Sequence, residues 1–543
     1  MRILILGGGV MQLPAVRLAK QNGWAVIVAA AGISREIAQL ADRCEQVDLR
    51  DRDAVTRLAQ SLKQEEGLDG VFTAGTDFST TVAWAAERAG VPGIPHEAAL
   101  SATDKARMRA AFQAHGVPSP SFFTVDAEGT GSRGKASAVN LPEGFSFPLV
   151  VKPVDNMGAR GVRRVDDRNQ LQEAVETALG QSASGQAIVE QYLEGPELSL
   201  DALIHEGEIT ICGVADRHIC FPPYFVEMGH TMPSDLAPER LDQAEEVFRR
   251  GIRALGISGG AAKGDIKVTP AGAVVGEIAA RLSGGYMSGW TYPFASGVEV
   301  TAGALNIAVG LPPGDLRPQR NWVSAERAFI SIPGTVKSLE GLDRARSVPG
   351  IEQLFLRVSA GQQVVLPINN MGKCGNLISK APDRGQAVEA VEKAIRSVLV
   401  RLEPMDPRTD AFLLGTEQGG FSAFSGLAPV TRKRLGQLPP WSGRPQRFSG
   451  RAEDLRIMEL PGAGEERARD WHGWTLLQAF RRVLEICGSA SAAVPADPDT
   501  SFILGRLFWN ALIKGGVQAG VYVIDSLCAP ESQPKYIVRK WLA

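Results

Sequence analysis

The chain has few cysteines, and they lack the spacing of a metal knuckle or a disulfide framework. Six cysteines are scattered over 543 residues, and no two form a C-x-x-C pair. This usage favours a reducing compartment, so we expect a cytoplasmic protein. The apolar start MRILILGGG is short and no cleavage site follows it. We therefore expect no secretion signal there.

The sequence also lacks an excess of either charge and any long apolar run. The formal net charge is −2 at pH 7, which argues against the basic field that holds nucleic acids or anionic membranes. No stretch of about 20 uncharged apolar residues occurs, so we expect no membrane span. The 44% hydrophobic and 22% charged content is typical of globular proteins, and 543 residues predict three or four domains.

Strand and helix patterns alternate over residues 1–95. RILIL, WAVIVAA and DGVFTAG have the pattern of buried strands, and TTVAWAAERAG that of a helix, which predicts a Rossmann-like α/β unit. The glycines at 7–9 do not complete a dinucleotide fingerprint, because Gln12 occupies the third glycine position and Ala29–Ala31 replace the expected acid. A packing turn is the favoured interpretation, and amides lining a small-molecule site are an alternative.

A lysine stands inside the apolar strand pattern LVVKP. Lys152 is costly there unless its ammonium group has an anionic partner. The loop DNMGARG follows, in which Gly158 and Gly161 flank Arg160. Glycines let backbone N–H groups approach phosphate oxygens. Taken alone, the pattern fits a surface hairpin equally well.

The segment VEQYLEGPELSLD ends a strand pattern at Tyr192 and Leu193. The backbone at such a strand end can hydrogen-bond an adenine edge. Glu197 follows closely enough to accept hydrogen bonds from ribose hydroxyls. In isolation, an ordinary loop with exposed acids explains this segment equally well.

The segment GDIKVTPAGAVVGEIAAR predicts a hairpin whose strand pattern runs on to Arg281. Asp265 and Glu277 would face each other, and opposed carboxylates repel unless they are protonated or bridged by cations. Magnesium is a natural bridge, since it takes few carboxylates and completes its shell with phosphates. Arg281 would bind a phosphate or carboxylate. A solvated hairpin face is the alternative, which the apolar neighbours of Glu277 disfavour.

The order of these parts resembles the ATP-grasp superfamily over residues 1 to about 404. The resemblance implies an α/β ATP-grasp fold with a Rossmann-like, biotin carboxylase-like unit at 1–95. It places an ATP-grasp domain at 96–320, with a lid at about 120–195, and a small α/β subdomain at 321–404. Residues 405–543 are predicted to form an additional mixed or helical region that contains the helix patterns WTLLQAFRRVLEIC and FILGRLFWNALIKGG.

The same resemblance implies ATP, held through its phosphates by two lysines and a glycine loop at 155–161. Two Mg²⁺ ions, for which Mn²⁺ can substitute, are implied at Asp265 and Glu277. The superfamily often has an asparagine ligand two residues after the second acid, where this chain has Ala279, and Glu is commoner than Asp at the first acid. The implied ATP-binding residues are Lys105, Lys152, Asn156, Gly158, Ala159, Gly161, Glu190, Gln191, Tyr192, Leu193 and Glu197.

Within the superfamily, EIAARLSGG and FVEMGHTMPS resemble segments of the L-amino acid ligases and related carboxylate–amine ligases. This implies Arg281 and Lys152 as catalytic residues. It also implies a substrate site formed by Glu227, His230, Arg281, Ser283, Gly284 and Gly285.

The function implied is an ATP-dependent ligase that joins a carboxylate to an amine through an acyl phosphate, releasing ADP and phosphate. Amino-acid-like substrates are expected, without a nucleic-acid or membrane partner, and a homodimer is left open. One alternative is a carboxylase-type or purine-pathway enzyme that uses bicarbonate or formate, although the chain has no Met-Lys-Met carrier sequence. The other alternative is a non-catalytic nucleotide-binding scaffold, which the paired acids disfavour.

Overall fold

The computed structural model describes residues 1–128, 134–415, 421–443, 448, 450–491 and 502–529. These residues form two compact units. The first comprises 1–326, 368–370 and 378–388, and the second comprises 327–367, 371–377 and the described residues from 389 onward. The domain boundaries predicted at 95, 320 and 404 remain predictions. Part of the predicted 405–543 region lies outside the described residues.

The N-terminal part of the first unit is built on a parallel sheet with the strand order β3-β2-β1-β4. Ile3 to Leu6 of β1 are fully buried, as expected for a strand covered on both faces. A Cβ at Gly8 would lie 2.4 Å from the carbonyl oxygen of Gly32, which supports the packing-turn interpretation. The elements are β1 Arg2–Leu6, α1 Leu13–Gln21, β2 Ala25–Ala30, α2 Arg35–Leu40, β3 Arg43–Gln46, α3 Arg52–Glu66, β4 Gly70–Phe72, α4 Ser79–Ala89 and α5 His96–Ser101.

The next part of this unit begins with a half-buried helix and a four-stranded sheet. Asp104 caps the helix Lys105–Ala114, because its carboxylate accepts hydrogen bonds from the N–H groups of Ala106 and Arg107. The sheet has the order β5-β8-β6-β7 and carries one helix. The elements are α6 Lys105–Ala114, β5 Phe122–Asp126, β6 Leu149–Pro153, β7 Arg163–Val165, α7 Arg168–Gln181 and β8 Gln186–Gln191.

Five further strands of the first unit lie side by side in the order β13-β12-β9-β10-β11. The predicted hairpin is present as β12 and β13, and Asp265 pairs with Glu277. The expectation that its second strand reaches Arg281 is wrong, since β13 ends at Ala279. The elements are β9 Glu197–His205, β10 Glu208–Cys220, β11 Val226–Met232, α8 Pro238–Ala254, β12 Gly260–Thr269, β13 Gly272–Ala279, α9 Tyr292–Ser296 and α10 Val300–Ala308.

The two predicted C-terminal helices correspond to α15 and α16 of the second unit. The prediction is wrong at the start of the second one, because Phe502–Leu504 form the strand β23 and α16 begins at Arg506. The two helices pack through aromatic side chains, with the rings of Phe480 and Trp509 4.9 Å apart. No helix of the described residues is long and apolar enough to cross a membrane. The elements from residue 323 onward are β14 Val323–Ile330, β15 Gly334–Glu340, α11 Leu342–Arg346, β16 Ile351–Leu356, β17 Gln363–Val364, β18 Lys373–Ala381, α12 Arg384–Ser397, β19 Leu399–Leu402, α13 Pro407–Leu414, α14 Pro429–Gln437, β20 Trp441–Gly443, β21 Leu455–Ile457, α15 Leu476–Cys487, β22 Ala490–Ser491, β23 Phe502–Leu504 and α16 Arg506–Cys528.

Candidate active site

A cavity of about 340 Å³ in the first unit gathers most of the predicted site residues. Its volume is in the range of small-molecule sites. Among the described lining residues, six carry an ammonium or guanidinium group and six carry a carboxylate. The predicted residues in its lining are Lys105, Lys152, Asn156, Gly158, Ala159, Glu190, Gln191, Tyr192, Leu193, Glu197, Glu227, His230, Asp265, Glu277, Arg281, Gly284 and Gly285.

Two predicted site residues, Gly161 and Ser283, lie outside the described lining. Gly161 has φ +69° and packs closely, since a Cβ there would lie 3.0 Å from Cγ of Pro153. The backbone N–H and the hydroxyl of Ser283 both donate to the Asp201 carboxylate, at 3.0 and 2.6 Å. Gly161 therefore packs against Pro153 and Ser283 hydrogen-bonds to Asp201, while the ligand contacts of both residues remain predictions.

Lys152 has the anionic partner that its strand position requires. Its ammonium lies 2.7 Å from Oε2 of Glu190, and Nε of Arg109 donates to Oε1 of the same carboxylate at 2.8 Å. Burial would raise the pKa of Glu190, but Arg109 and Lys152 hold it below its usual value. The Glu190 carboxylate thus belongs to a buried ion triad. If this segment contacts adenine, the backbone after Glu190 would therefore make the contact.

Within the described part of the chain, the amide of Leu193 in that backbone has no acceptor. The N–H of Gln191 donates to the carbonyl of Ser121 at 3.0 Å, and that of Tyr192 donates to Pro148 at 3.3 Å. Among the described residues, the N–H of Leu193 has no such acceptor. Leu193 also lines the cavity, so its amide is the one placed to meet a ligand.

Glu277 is surrounded by cations. The ammonium of Lys105 lies 3.6 Å from its Oε1 and donates to the carbonyl of Asn156 at 2.8 Å. Burial alone would raise the pKa of Glu277, but Lys105, Lys152 and further cations lower it to about 2. Glu277 is therefore an ionised oxygen donor at neutral pH.

Arg217 is the central residue that sequence analysis missed. Its guanidinium contacts Glu197, lies 2.9 Å from Oε2 of Glu227, and lies 3.2 Å from Oδ2 of Asp265. These are the residues predicted to hold the ribose, the substrate and the metal. One guanidinium therefore connects the three predicted subsites.

At the other end of the cavity, His230 lies between two carboxylates. Its Nδ1 is 3.0 Å from Oε2 of Glu326, and its Nε2 is 3.7 Å from Oε2 of Glu227. Gly285 faces this pair with φ +62°, and a Cβ there would lie 2.8 Å from Oε1 of Glu227. Only glycine fits this position without displacing the Glu227 carboxylate.

Arg281 lies directly after the hairpin and lines the same cavity. Its Nη1 donates to the carbonyl of Leu282 at 2.9 Å, whereas its buried Nε has no acceptor among the described residues. Burial lowers the pKa of its guanidinium, while Asp77 and Glu277 act in the opposite direction. The guanidinium thus retains hydrogen-bonding capacity for an anionic ligand.

The glycine loop is held over the cavity by contacts at two positions. Arg160 forms an ion pair with Asp77, and the N–H of Asn370 donates to the carbonyl of Gly158 at 3.1 Å. Gly158 and Ala159 both have positive φ, at 66° and 61°. Positive φ is rare for a residue other than glycine, so the backbone conformation of this loop at Ala159 is an unusual one.

Asp265 and Glu277 fit a divalent cation by the chemistry of their donors. They pair across the hairpin, line one cavity, and offer hard carboxylate oxygens. Among the residues that the structure describes, no cluster of three or more acidic, histidine or cysteine side chains is arranged for a metal. Mg²⁺ takes few protein carboxylates and completes its shell with water and phosphate, so two carboxylates suffice.

Two family profiles match the chain in the segments just described. One, described as ATP-grasp domain, matches residues 145–289 and therefore includes the glycine loop and the hairpin. The chain thus carries an ATP-grasp domain. A second profile, described as L-amino acid ligase C-terminal domain 2, matches residues 328–403. The predicted family and enzyme class, an ATP-grasp ligase, are confirmed.

Individual proteins agree with this assignment. Uncharacterized protein y4rH of Sinorhizobium fredii is 27% identical over 376 residues, covering 68% of this chain and 76% of the relative. Carnosine synthase 1 of Gallus gallus is 27% identical over 330 residues, covering 56% of this chain and 35% of the relative. An L-amino acid ligase structure from Bacillus licheniformis superposes with a TM-score of 0.64 at 22% identity, covering 74% of this chain and 98% of that one. The structural likeness confirms the predicted fold.

Proposed function

We propose that this chain is an ATP-dependent carboxylate–amine ligase that acts on amino-acid-like substrates. The observation that carries the proposal is the paired Asp265 and Glu277 in the same cavity as Arg281, Lys105 and Lys152. Phosphoryl transfer to a carboxylate requires positioning and neutralisation of charge more than a protein nucleophile. Lys105, Lys152 and Arg281 supply the positive charge, and the paired carboxylates would bind a divalent ion.

The nucleotide is expected to enter with its adenine at the free amide of Leu193 and its ribose at Glu197. The phosphates then extend toward Lys105 and Lys152 beneath the glycine loop. Mg²⁺ held by Asp265 and Glu277 would neutralise phosphate charge when bound. These roles follow from the cavity lining and from the resemblance to ATP-grasp enzymes.

The reaction proposed has two steps. In the first, an oxygen of the substrate carboxylate bonds to the γ-phosphorus, the bond to ADP breaks, and an acyl phosphate forms beside Arg281. In the second, the amine nitrogen bonds to the acyl carbon and phosphate leaves, while the nitrogen loses a proton. Glu227 and His230 lie at this end of the cavity, where they can hold the substrate amine and accept the proton.

The test is ADP release with Mg²⁺ and a panel of amino acids supplied singly and in pairs, with products identified by mass. ADP release that requires a pair, together with a product of the joined mass less water, supports the ligase. Bicarbonate or formate alone driving ADP release would replace this proposal with the carboxylase-type or purine-pathway activity. ATP binding without turnover across the panel would favour a nucleotide-binding scaffold.

A further inference from the structure

The ammonium group of Lys263 contacts one of the two candidate metal-binding carboxylates. Lys263 lies two residues before Asp265 on the same face of β12, and its Nζ contacts Oδ1 of Asp265. Both side chains line the cavity, and the Lys263 side chain is only 14% exposed. A positive charge is therefore fixed beside the candidate site by the strand itself.

The residue opposite Lys263 cannot help to bind a second ion. Lys263 pairs with Ala279 across the hairpin, just as Asp265 pairs with Glu277. Ala279 is buried and offers only a methyl group. The Asp265–Glu277 pair thus presents two carboxylates, whereas the neighbouring Lys263–Ala279 pair presents an ammonium and a methyl group. Within the hairpin, the side-chain oxygen donors of this face are confined to the Asp265–Glu277 pair. The adjacent strand β9 adds Ser199 beside Asp265, and it adds Asp201 beside Lys263, where the carboxylate accepts hydrogen bonds from Ser283.

The charges around the carboxylate pair also disfavour a second divalent ion. Besides Lys263, the Arg217 guanidinium lies 3.2 Å from Asp265, and the Lys105 ammonium lies 3.6 Å from Glu277. Two carboxylates thus already have three protein cations within ion-pair distance. A second divalent ion beside Lys263 would meet a like charge, and the hairpin itself offers no further side-chain ligand to offset the repulsion.

We propose that this site binds one divalent cation, between Asp265 and Glu277, and that the Lys263 ammonium occupies the place of a second. Lys263 would then contact the phosphates of the nucleotide directly, as a point charge. This inference rests on the proposed function for the presence of a nucleotide and a divalent ion. It replaces the expectation of two ions that the resemblance to the ATP-grasp superfamily implies.

The experiment counts Mn²⁺ bound per chain by electron paramagnetic resonance, in the presence of a non-hydrolysable ATP analogue. The wild type should bind one Mn²⁺. The double variant Lys263→Ala/Ala279→Asn removes the ammonium and adds an amide oxygen, so its count should rise to two. The matched control is Lys267→Ala/Ala279→Asn, because Lys267 lies on the same face but contacts Glu197. Its count should stay at one.

The wild-type count alone can overturn the inference, whether or not either double variant folds. Two Mn²⁺ per wild-type chain would show that Lys263 does not replace an ion, yet would leave the ligase proposal intact. No Mn²⁺ in the presence of the analogue would overturn both this inference and the metal site of the proposed function. A folded Lys263→Ala/Ala279→Asn variant that still binds one ion would contradict the role given to Lys263.

Discussion

Asp265 and Glu277 are paired residues on adjacent antiparallel strands, and their carboxylates face one cavity. Like charges in this arrangement repel, so the fold retains the pair only with cations beside it. Lys263 and Arg217 provide them at Asp265, and Lys105 does so at Glu277. The pair therefore combines a local electrostatic cost with the capacity to bind a divalent ion.

Glu277→Gln should reduce ADP release by about 100-fold or more, because it removes charge stabilisation at the reacting phosphates. Binding of a fluorescent ATP analogue should remain measurable, since the predicted adenine and ribose contacts lie elsewhere in the cavity. Glu208→Gln is the control, because Glu208 is exposed at the start of β10. Full activity in Glu277→Gln would contradict the metal assignment.

Arg217→Met should weaken ATP binding by about tenfold or more. The substitution leaves Glu197, Glu227 and Asp265 without their shared guanidinium, and uncompensated carboxylates repel the phosphates. Equilibrium titration with ATP and Mg²⁺ measures the effect. Arg249→Met, a change on the remote helix α8, should leave the dissociation constant unchanged. An equal loss in both variants would assign the effect to general destabilisation.

Gly285→Ala should raise KM for the amino-acid substrate while ATP binding changes little. The new Cβ would crowd Oε1 of Glu227 at 2.8 Å and Cε1 of His230 at 3.0 Å. Gly207→Ala separates crowding from backbone strain, because Gly207 has φ +80° but a Cβ there would meet nothing within 4 Å. Both variants incur a backbone cost of about 1 kcal/mol. Only Gly285→Ala should change the kinetics, and equal kinetics in the two would refute the close-approach argument.

The hairpin was predictable because its signals are local. Two strand patterns flank a short turn, which predicts the hairpin. The pairing of Asp265 with Glu277 also depends on a register shift between Asp265 and Ile266. Arg217 was missed for a local reason too. β10 runs from Glu208 to Cys220, and a register irregularity between Ile211 and Gly213 breaks the alternating pattern before Arg217 is reached.

Other parts of the site depend on distant contacts that no local pattern encodes. Asn370 accepts a hydrogen bond from the backbone N–H of Glu227, 143 residues away, at 2.9 Å. Glu190, which is predicted at an adenine hinge, pairs through its carboxylate with Arg109, which lies 81 residues earlier on α6. Such pairs form only when the elements pack. By contrast, Lys263 and Lys267 could have been identified, because the spacing K-x-D-x-K places both on the face of Asp265.

Arg109→Met should lower the free energy of unfolding by about 3 to 5 kcal/mol, because it breaks a buried ion network and leaves Glu190 with Lys152 alone. The Arg109 side chain is 1% exposed and that of Glu190 is 4% exposed. Arg107→Met on the same helix is the control. Arg107 faces solvent in a 3.6 Å pair with Glu97, so its loss should cost at most about 1 kcal/mol. Urea unfolding measures both, and similar midpoints would contradict the buried-network argument.

The titration of Asp201 should lower the free energy of unfolding as the pH rises from about 4 to about 6. Burial raises the pKa of this carboxyl to about 6, although hydrogen bonds from Ser283 oppose the shift. The usual aspartate value is about 3.9. Between these two values the folded chain holds a proton that the unfolded chain has lost, so raising the pH favours unfolding. The shift of about two units corresponds to about 3 kcal/mol, and the penalty is constant above the higher pKa.

Asp201→Asn isolates this contribution, because asparagine stays neutral while its carbonyl oxygen can still accept from Ser283. Other groups titrate over the same range, so the quantity to compare is the difference between variant and wild type in urea midpoint at each pH. The urea midpoint of Asp201→Asn minus that of the wild type should rise between pH 4 and pH 6 and then stay constant. Asp242→Asn, at an exposed position of α8, should show no such trend. A difference independent of pH would mean that Asp201 is ionised in the folded chain throughout this range.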